Sequence, residues 1–170
     1  LFYMPLSWSN LACLIVFVSA AVTDIADGAI ARRTGQTSRF GAFLDPVADK
    51  IMVSTALVLL VQRQEAYQAL FAVAAAIIIG REITISALRE WMSEIGERAL
   101  VSVSWVGKTK TAFQMTAIGF LLYHDDLWFL PVALIGELLL YTAAALTLWS
   151  MWTYLKAAWP ALRRNEQDGA

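Results

Sequence analysis

Four aspartates, Asp24, Asp27, Asp45 and Asp49, stand in or beside segments that are otherwise apolar enough to lie in a membrane. Asp24 is the first charged residue of the chain and follows 23 uncharged ones. Ionisable groups at membrane depth cost free energy, so by default they mark a functional site. A solvated loop whose aspartates only cap helices is the less favoured interpretation, because such a long uncharged segment precedes Asp24.

The spacing places these carboxylates on two helix faces. Because a helix advances about 100° per residue, Asp24 and Asp27 share one face, and Asp45 and Asp49 share another. Small or basic residues share or flank the same faces: Gly28, Ala31, Arg32 and Gly41. A short polar turn at residues 34–38 joins the two helices, so the two acidic helix faces are predicted to lie opposite each other.

Four carboxylates so close together need compensation. At about 6 Å and an effective dielectric near 20, each pair repels by roughly 3 kcal/mol. Some must be protonated, or cations must sit between them. An all-oxygen ligand set favours Mg²⁺ or Mn²⁺ over Zn²⁺, and two such cations suit an in-line displacement at phosphorus. We therefore predict that Asp24, Asp27, Asp45 and Asp49 bind two divalent cations.

The same residues carry a family resemblance. The pattern D-x2-D-G-x2-A-R-x8-G-x3-D-x3-D is met from Asp24 to Asp49 at all eight positions. It resembles the signature of the CDP-alcohol phosphotransferases, integral membrane enzymes of phospholipid synthesis. Two later segments, GREITISALREWM at 80–92 and VSVSWVGKTKT at 101–111, resemble the bacterial members that make phosphatidylglycerophosphate, and the similarity covers most of the chain.

This resemblance implies a reaction and a division of roles. The reaction is transfer of a phosphatidyl group from CDP-diacylglycerol to sn-glycerol 3-phosphate, which releases CMP. Asp49, the last of the series, is our candidate for the general base, with a metal contact as well. Residues around the acidic turn are implied to bind the CDP-lipid: Gly28, Ala31, Arg32, Arg39 and Gly41. The resemblance also implies a homodimer among membrane lipids.

A second cluster is basic and is expected to bind the phosphate of the acceptor: Arg81, Arg89, Lys108 and Lys110. Arg81 is the most informative member, because it lies inside an apolar run. The alternative for Arg81 is a structural ion pair, with Glu82 of a neighbouring copy or with Glu137. For the other basic residues, and for Arg32 and Arg39, the bias of membrane proteins toward cytoplasmic basic residues is the alternative.

The composition limits the class of protein. Of the 170 residues, 59% are hydrophobic and only 16% are charged, and mean hydropathy is +0.59, whereas soluble domains average about 25% charged residues. A net charge of −1 argues against a nucleic-acid partner. The single cysteine, Cys13, is expected to be a small core residue.

These features predict an all-α integral membrane protein, a single domain over residues 1–170. A span needs about 20 mostly apolar residues, and five segments qualify: 9–32, 40–62, 67–91, 105–123 and 128–155. Residues 1–7 are interpreted as the tail of a further helix, largely missing here, which makes a bundle of six transmembrane helices. Pro46 either opens the second helix behind Asp45 as N-cap or kinks it.

Charge sets the predicted orientation. Of 13 basic residues, all except Arg63 and Arg81 fall on the side of the membrane that holds the acidic site. That side is predicted to be cytoplasmic, and the resemblance to bacterial enzymes implies the inner membrane. His124, Asp125 and Asp126 fall at the opposite face and are interpreted as a polar turn rather than a metal site. Glu137 has no assigned role.

Two alternatives remain at this level. The first keeps the chemistry and changes the acceptor to serine, an inositol phosphate or phosphatidylglycerol, because the aspartate signature does not separate these. The second is a cation transporter, whose intramembrane carboxylates would conduct ions. Clustering of all four aspartates near one face disfavours a path through the membrane.

Overall fold

The computed structural model describes residues 1–34, 39–64, 67–96 and 105–168, with some side chains inside the helices also outside the description. All regular structure in these ranges is helical. The five helices are α1 (Ser9–Thr34), α2 (Arg39–Arg63), α3 (Gln68–Glu94), α4 (Trp105–Tyr123) and α5 (Val132–Asp168).

The first four helices follow the predicted segments to within a few residues. One of the two alternatives for Pro46 is excluded, because α2 begins at Arg39 and Pro46 therefore lies well inside it rather than at its start. A proline there has no N–H to donate to the preceding turn. The acidic residues before and after it, Asp45 and Asp49, consequently belong to one helix.

The prediction for the last helix was wrong at both ends. α5 begins at Val132 rather than near Trp128, because Leu127 and Leu130 exchange backbone hydrogen bonds across a tight turn. Trp128 adopts a left-handed φ of 58° in that turn. At the other end the helix continues beyond the predicted residue 155 to Asp168, through Pro160 and the polar residues that follow it. Most of those polar residues are tolerated well in helices.

Two helical stretches of the described chain are long and apolar enough to cross a membrane, Gln68–Ser93 and Val132–Pro160. The apolar part of α1, Ser9–Asp24, is shorter. Hydroxyl side chains inside the helices bond to the carbonyl four residues earlier, as Thr84 does to Gly80 at 2.8 Å. Such local bonds let a polar residue lie in an apolar helix without a distant partner.

Helices α4 and α5 form the most extensive helix contact. Gly136 of α5 faces Leu121 of α4 so closely that an added Cβ would lie 2.8 Å from Leu121 Cγ. Small residues permit such close approach between apolar helices, where van der Waals packing supplies much of the attraction. The spacing of these two helices is therefore fixed at this glycine.

The apolar core is divided in two along the bundle. The larger cluster includes Leu57, Ile78 and Ile118 and draws on all five helices. The smaller one joins Ile85 of α3 to Tyr154 of α5, with few other members. Between the clusters lies a polar layer of buried side chains from three helices: Arg81, Lys110, Gln114, Thr147 and Ser150.

Candidate active site

Glu82 is the centre of the polar layer. Its Oε1 accepts hydrogen bonds from Lys110 Nζ at 2.5 Å and from Arg81 Nη1 at 3.2 Å. Lys110 is 0% exposed, Arg81 7% and Glu82 27%. One carboxylate therefore pairs with two buried cations, and the three side chains together keep a net positive charge.

Arg81 reaches toward α5 as well as toward Glu82. Its Nη2 lies 3.5 Å from Ser150 Oγ, and its guanidinium carbon lies 5.7 Å from the centre of the Tyr154 ring. Arg81 Nε is buried and has no hydrogen-bond partner among the described residues. The guanidinium is thus held in place with one N–H group still to be satisfied.

A small polar cavity of about 50 Å³ opens beside this ion cluster. It is lined by residues of three helices: Asp49, Lys50 and Val53 of α2, Glu82 of α3, and Thr111, Gln114 and Met115 of α4. The candidate general base and the counter-ion of the two buried cations therefore border the same cavity. The sequence had placed Asp49 and the basic cluster in separate predicted roles, and the fold brings them together.

The acidic residues of α1 lie close to the cavity beside Asp49 and Glu82. The side chains of Asp24, Asp27 and Asp49 are exposed, and the carboxylates of Asp24 and Glu82 both act electrostatically on Asp49. Among the side chains that the structure describes, no three His, Cys, Asp or Glu residues are grouped closely enough to hold a metal ion. The fourth aspartate, Asp45, lies outside those side chains, so the four-carboxylate metal site stays a prediction.

Several other predicted residues also lie outside the described side chains: Gly28, Ala31, Arg32, Arg39, Gly41 and Lys108. Their roles toward the CDP-lipid and the acceptor phosphate stay predictions. Arg89 lies exposed on α3, two turns beyond Arg81 and on the same helix. Of the four predicted phosphate ligands, the structure brings together Arg81 and Lys110.

Two apolar grooves flank α1 next to its acidic end. One, of about 510 Å³, runs between α1 and α2 and includes Val16, Ala20 and Met52. The other, of about 330 Å³, runs between α1 and α4 and includes Val22 and Thr116. A ligand with a charged head at Asp24 and an apolar body would find apolar surface on either side of the helix.

The opposite end of the bundle is held by polar contacts between helices and loops. Asn10 donates to Asp125 at 2.9 Å and accepts from Arg63 at 2.5 Å. Glu137, which had no role in the sequence interpretation, accepts from Gln64 at 2.6 Å. Glu137 therefore bonds to Gln64 and not to Arg81, which pairs with Glu82 of its own chain.

Sequence reasoning missed two residues of the site. Glu82 entered only as an alternative partner for Arg81, although a carboxylate inside an apolar run is itself a signal. Gln114 gave a weaker signal, since an uncharged amide in a membrane helix often serves to bind a neighbouring helix. Its place beside the cavity depends on how α4 packs, which the sequence alone does not give.

Comparison with known proteins agrees with the predicted resemblance. The sequence model of the CDP-alcohol phosphatidyltransferase family matches residues 1–149. A protein of Yersinia pestis is 53% identical over 161 residues, which is 95% of this chain and 86% of that protein. One of Shigella flexneri is 51% identical over 157 residues, or 92% and 84%. Both relatives are named CDP-diacylglycerol–glycerol-3-phosphate 3-phosphatidyltransferase.

Proposed function

The chain belongs to the CDP-alcohol phosphatidyltransferase family, and on that premise we propose that it makes phosphatidylglycerophosphate and CMP from CDP-diacylglycerol and sn-glycerol 3-phosphate. The observation that carries this proposal is the 53% identity, across nearly the whole chain, to proteins named for that reaction. The cavity between Asp49 and the Glu82 ion cluster supports it, because it adjoins cationic groups suited to an acceptor phosphate.

The chemistry is a displacement at phosphorus. A hydroxyl oxygen of glycerol 3-phosphate forms a bond to the phosphorus that carries the diacylglycerol. The bond from that phosphorus to the oxygen of CMP breaks, and CMP leaves with the electron pair. Asp49 accepts the proton of the attacking hydroxyl, and its exposure at the cavity rim gives the hydroxyl access to its carboxylate.

Divalent cations fit the acidic residues by their chemistry. Carboxylate oxygens from Asp24, Asp27, Asp45 and Asp49 are the ligands that Mg²⁺ and Mn²⁺ prefer. When bound, two such cations supply charge stabilisation to a diphosphate donor and to its leaving group. The exposure of Asp24, Asp27 and Asp49 leaves their oxygens open to such ions.

Basic residues beside the acidic site are proposed to hold the phosphate of the acceptor. Arg81 and Lys110 lie behind Glu82, which lines the cavity, and bring two positive charges against its one carboxylate. A phosphate dianion near this group therefore meets net attraction, and Arg81 Nε, which has no partner among the described residues, provides a donor within it. Arg89 and Lys108 complete the candidate set.

The donor lipid explains the apolar surface around α1. The grooves on either side of this helix reach Ala20 and Val22, about one turn or less from Asp24, and offer about 510 and 330 Å³ of mainly apolar space. We propose that the chains of CDP-diacylglycerol lie along them while its diphosphate faces the aspartates. Arg32 and Arg39, with the small residues Gly28, Ala31 and Gly41, complete the proposed CDP-lipid site.

We further propose a bundle of six transmembrane helices in the bacterial inner membrane, assembled as a homodimer, with the site open to the cytosol. Support for the orientation comes from the basic residues, all but two of which fall on the side of the aspartates. This side gives water-soluble glycerol 3-phosphate and the membrane-bound donor a common meeting place.

One assay tests the function against its alternatives. The purified protein in detergent is mixed with CDP-diacylglycerol, Mg²⁺ or Mn²⁺, and one acceptor at a time, and CMP release is measured. Glycerol 3-phosphate is expected to support turnover, and a chelator to abolish it. Faster turnover with serine, an inositol phosphate or phosphatidylglycerol would change the acceptor. Absence of CMP release, together with cation flux through the protein reconstituted in sealed vesicles, would indicate a transporter.

A further inference from the structure

Gln114 is an unusual feature of the cavity beside Asp49. Its side chain is 3% exposed and borders the cavity, yet its amide oxygen has no hydrogen-bond partner in the described part of the structure. A buried amide oxygen without a partner is costly, and most buried polar groups have one. This oxygen is therefore a candidate acceptor for a hydroxyl that enters the cavity.

The size and walls of the cavity limit what that group can be. A volume of about 50 Å³ accommodates one small polar group, since a water molecule takes about 30 Å³ of liquid. A hydroxyl both donates and accepts hydrogen bonds, so it satisfies either end of a glutamine amide.

Glycerol 3-phosphate has a polar group at each of its three carbons, and only one of these groups fits inside the cavity, with the other two at its edge. Asp49 of α2 faces the reacting hydroxyl, and the Arg81–Glu82–Lys110 cluster provides the charge for the phosphate at the other end. The middle hydroxyl then needs another polar side chain of the cavity lining. Lys50, Thr111 and Glu82 line the cavity as well, but each has other interactions, whereas the amide oxygen of Gln114 has no partner among the described residues, so we assign this position to Gln114.

We propose that the side-chain amide of Gln114 binds the middle hydroxyl of glycerol 3-phosphate and so selects a 1,2-diol phosphate as the acceptor. This inference rests on the proposed function and goes beyond it, since the reaction needs only the terminal hydroxyl. A site that hydrogen-bonds a substrate hydroxyl discriminates against analogues without it, because its own buried group is then left unpaired.

The first test needs no variant. 3-Hydroxypropyl phosphate keeps the reacting hydroxyl and the phosphate but lacks the middle hydroxyl. The parent protein is expected to use it with a kcat/KM about ten- to a hundredfold below that of glycerol 3-phosphate. Equal kcat/KM for both acceptors would overturn the proposal, whereas no CMP release with either would overturn the proposed function instead.

The second test removes the amide. Gln114→Met keeps the length of the side chain and is expected to lower kcat/KM for glycerol 3-phosphate while leaving that for 3-hydroxypropyl phosphate within about threefold, so the preference disappears. The ratio of the two values within one variant does not depend on the amount of folded protein. Gln68→Met, at an exposed site at the start of α3, is the matched control and should keep the parent's preference.

Should Gln114→Met yield no folded protein, Gln114→Asn gives the second measurement, because it keeps the amide and withdraws it by one methylene. It is expected to reduce the preference by about tenfold. A preference equal to that of the parent in whichever of these variants folds would show that Gln114 does not bind the hydroxyl.

Discussion

The two ends of the bundle treat polar side chains differently. At the end away from the aspartates, Asn10 joins Arg63 to Asp125, and Gln64 pairs with Glu137. At the end near the aspartates, Arg81 Nε and Gln114 Oε1 are buried without partners among the described residues, and Asp49 stands exposed at the rim of a cavity. The far end also has one such atom, Tyr141 Oη, about one turn from Glu137. The contacts named above nevertheless join helices and loops at the far end, whereas we propose that the open groups at the near end serve a ligand.

This difference has a physical consequence. A satisfied contact between helices stabilises the fold, whereas a buried group without a partner costs free energy until a ligand provides one. Substitutions at the far end should therefore change the free energy of unfolding without changing substrate preference. Substitutions at the near end should change turnover or substrate preference, and each prediction below tests one side of this contrast.

Asp49→Asn is expected to have the largest effect. It removes the proposed general base but keeps the size of the side chain, so turnover should fall by about 10²–10⁴-fold with the protein still folded. CMP release and thermal unfolding in detergent measure the two effects. Asp126→Asn, at the opposite end, is the control, and activity of Asp49→Asn within tenfold of the parent would rule out the base assignment.

Glu82→Gln should affect both folding and activity. Without its charge, Arg81 and Lys110 are two buried cations with no counter-ion, and breaking a buried pair costs about 3–5 kcal/mol. We expect a clearly lower midpoint of thermal unfolding and at least tenfold lower activity. Glu90→Gln on the exposed face of α3 is the matched control, and an unchanged midpoint for Glu82→Gln would show that the cluster does not depend on this carboxylate.

Replacement of Lys110 or Lys108 by Ala tests the acceptor side of the site. If these residues bind the acceptor phosphate, KM for glycerol 3-phosphate should rise about tenfold or more, with a smaller change for CDP-diacylglycerol. Lys156→Ala, an exposed basic residue of α5, controls for loss of charge. Equal increases in KM for glycerol 3-phosphate and for CDP-diacylglycerol would contradict the assignment.

Asn10→Leu should have the smallest effect on function. It removes the link between Arg63 and Asp125, which is expected to lower the free energy of unfolding by about 1–2 kcal/mol. The kcat/KM of the folded protein and its preference between acceptors should stay as in the parent. A changed preference would show that the two ends are coupled and that the contrast between them is too simple.

Much of the fold followed from the hydropathy pattern, because α1 to α4 coincide closely with the apolar segments. α5 did not, since the aromatic residues before Pro131 read as the start of a span although they form a turn. The polar residues after Pro160 likewise lie beyond the predicted segment although they continue the helix. Hydropathy identifies where a chain is apolar, but turn geometry and helix propensity decide where a helix begins and ends.

The sequence predicted only part of the site. The charge and spacing of the aspartates indicated a functional site, but the cavity that Asp49 shares with Glu82 depends on how α2 and α3 pack. Adjacent residues on a helix do not face each other, so a sequence gives no reason to pair Arg81 with Glu82 of its own chain. The contact of Glu82 with Lys110, 28 residues later, depends on tertiary packing.

The length of α5 has a consequence for its surroundings. With a rise of about 1.5 Å per residue, its 37 residues extend about 55 Å, nearly twice the roughly 30 Å thickness of the hydrocarbon layer. In the proposed orientation Ser150, whose hydroxyl lies 3.5 Å from Arg81 Nη2, remains within the membrane while the final turns of α5 extend beyond it into water. A label attached to those turns, outside the bilayer, would therefore report any tilt of α5, the helix that contacts the guanidinium of Arg81.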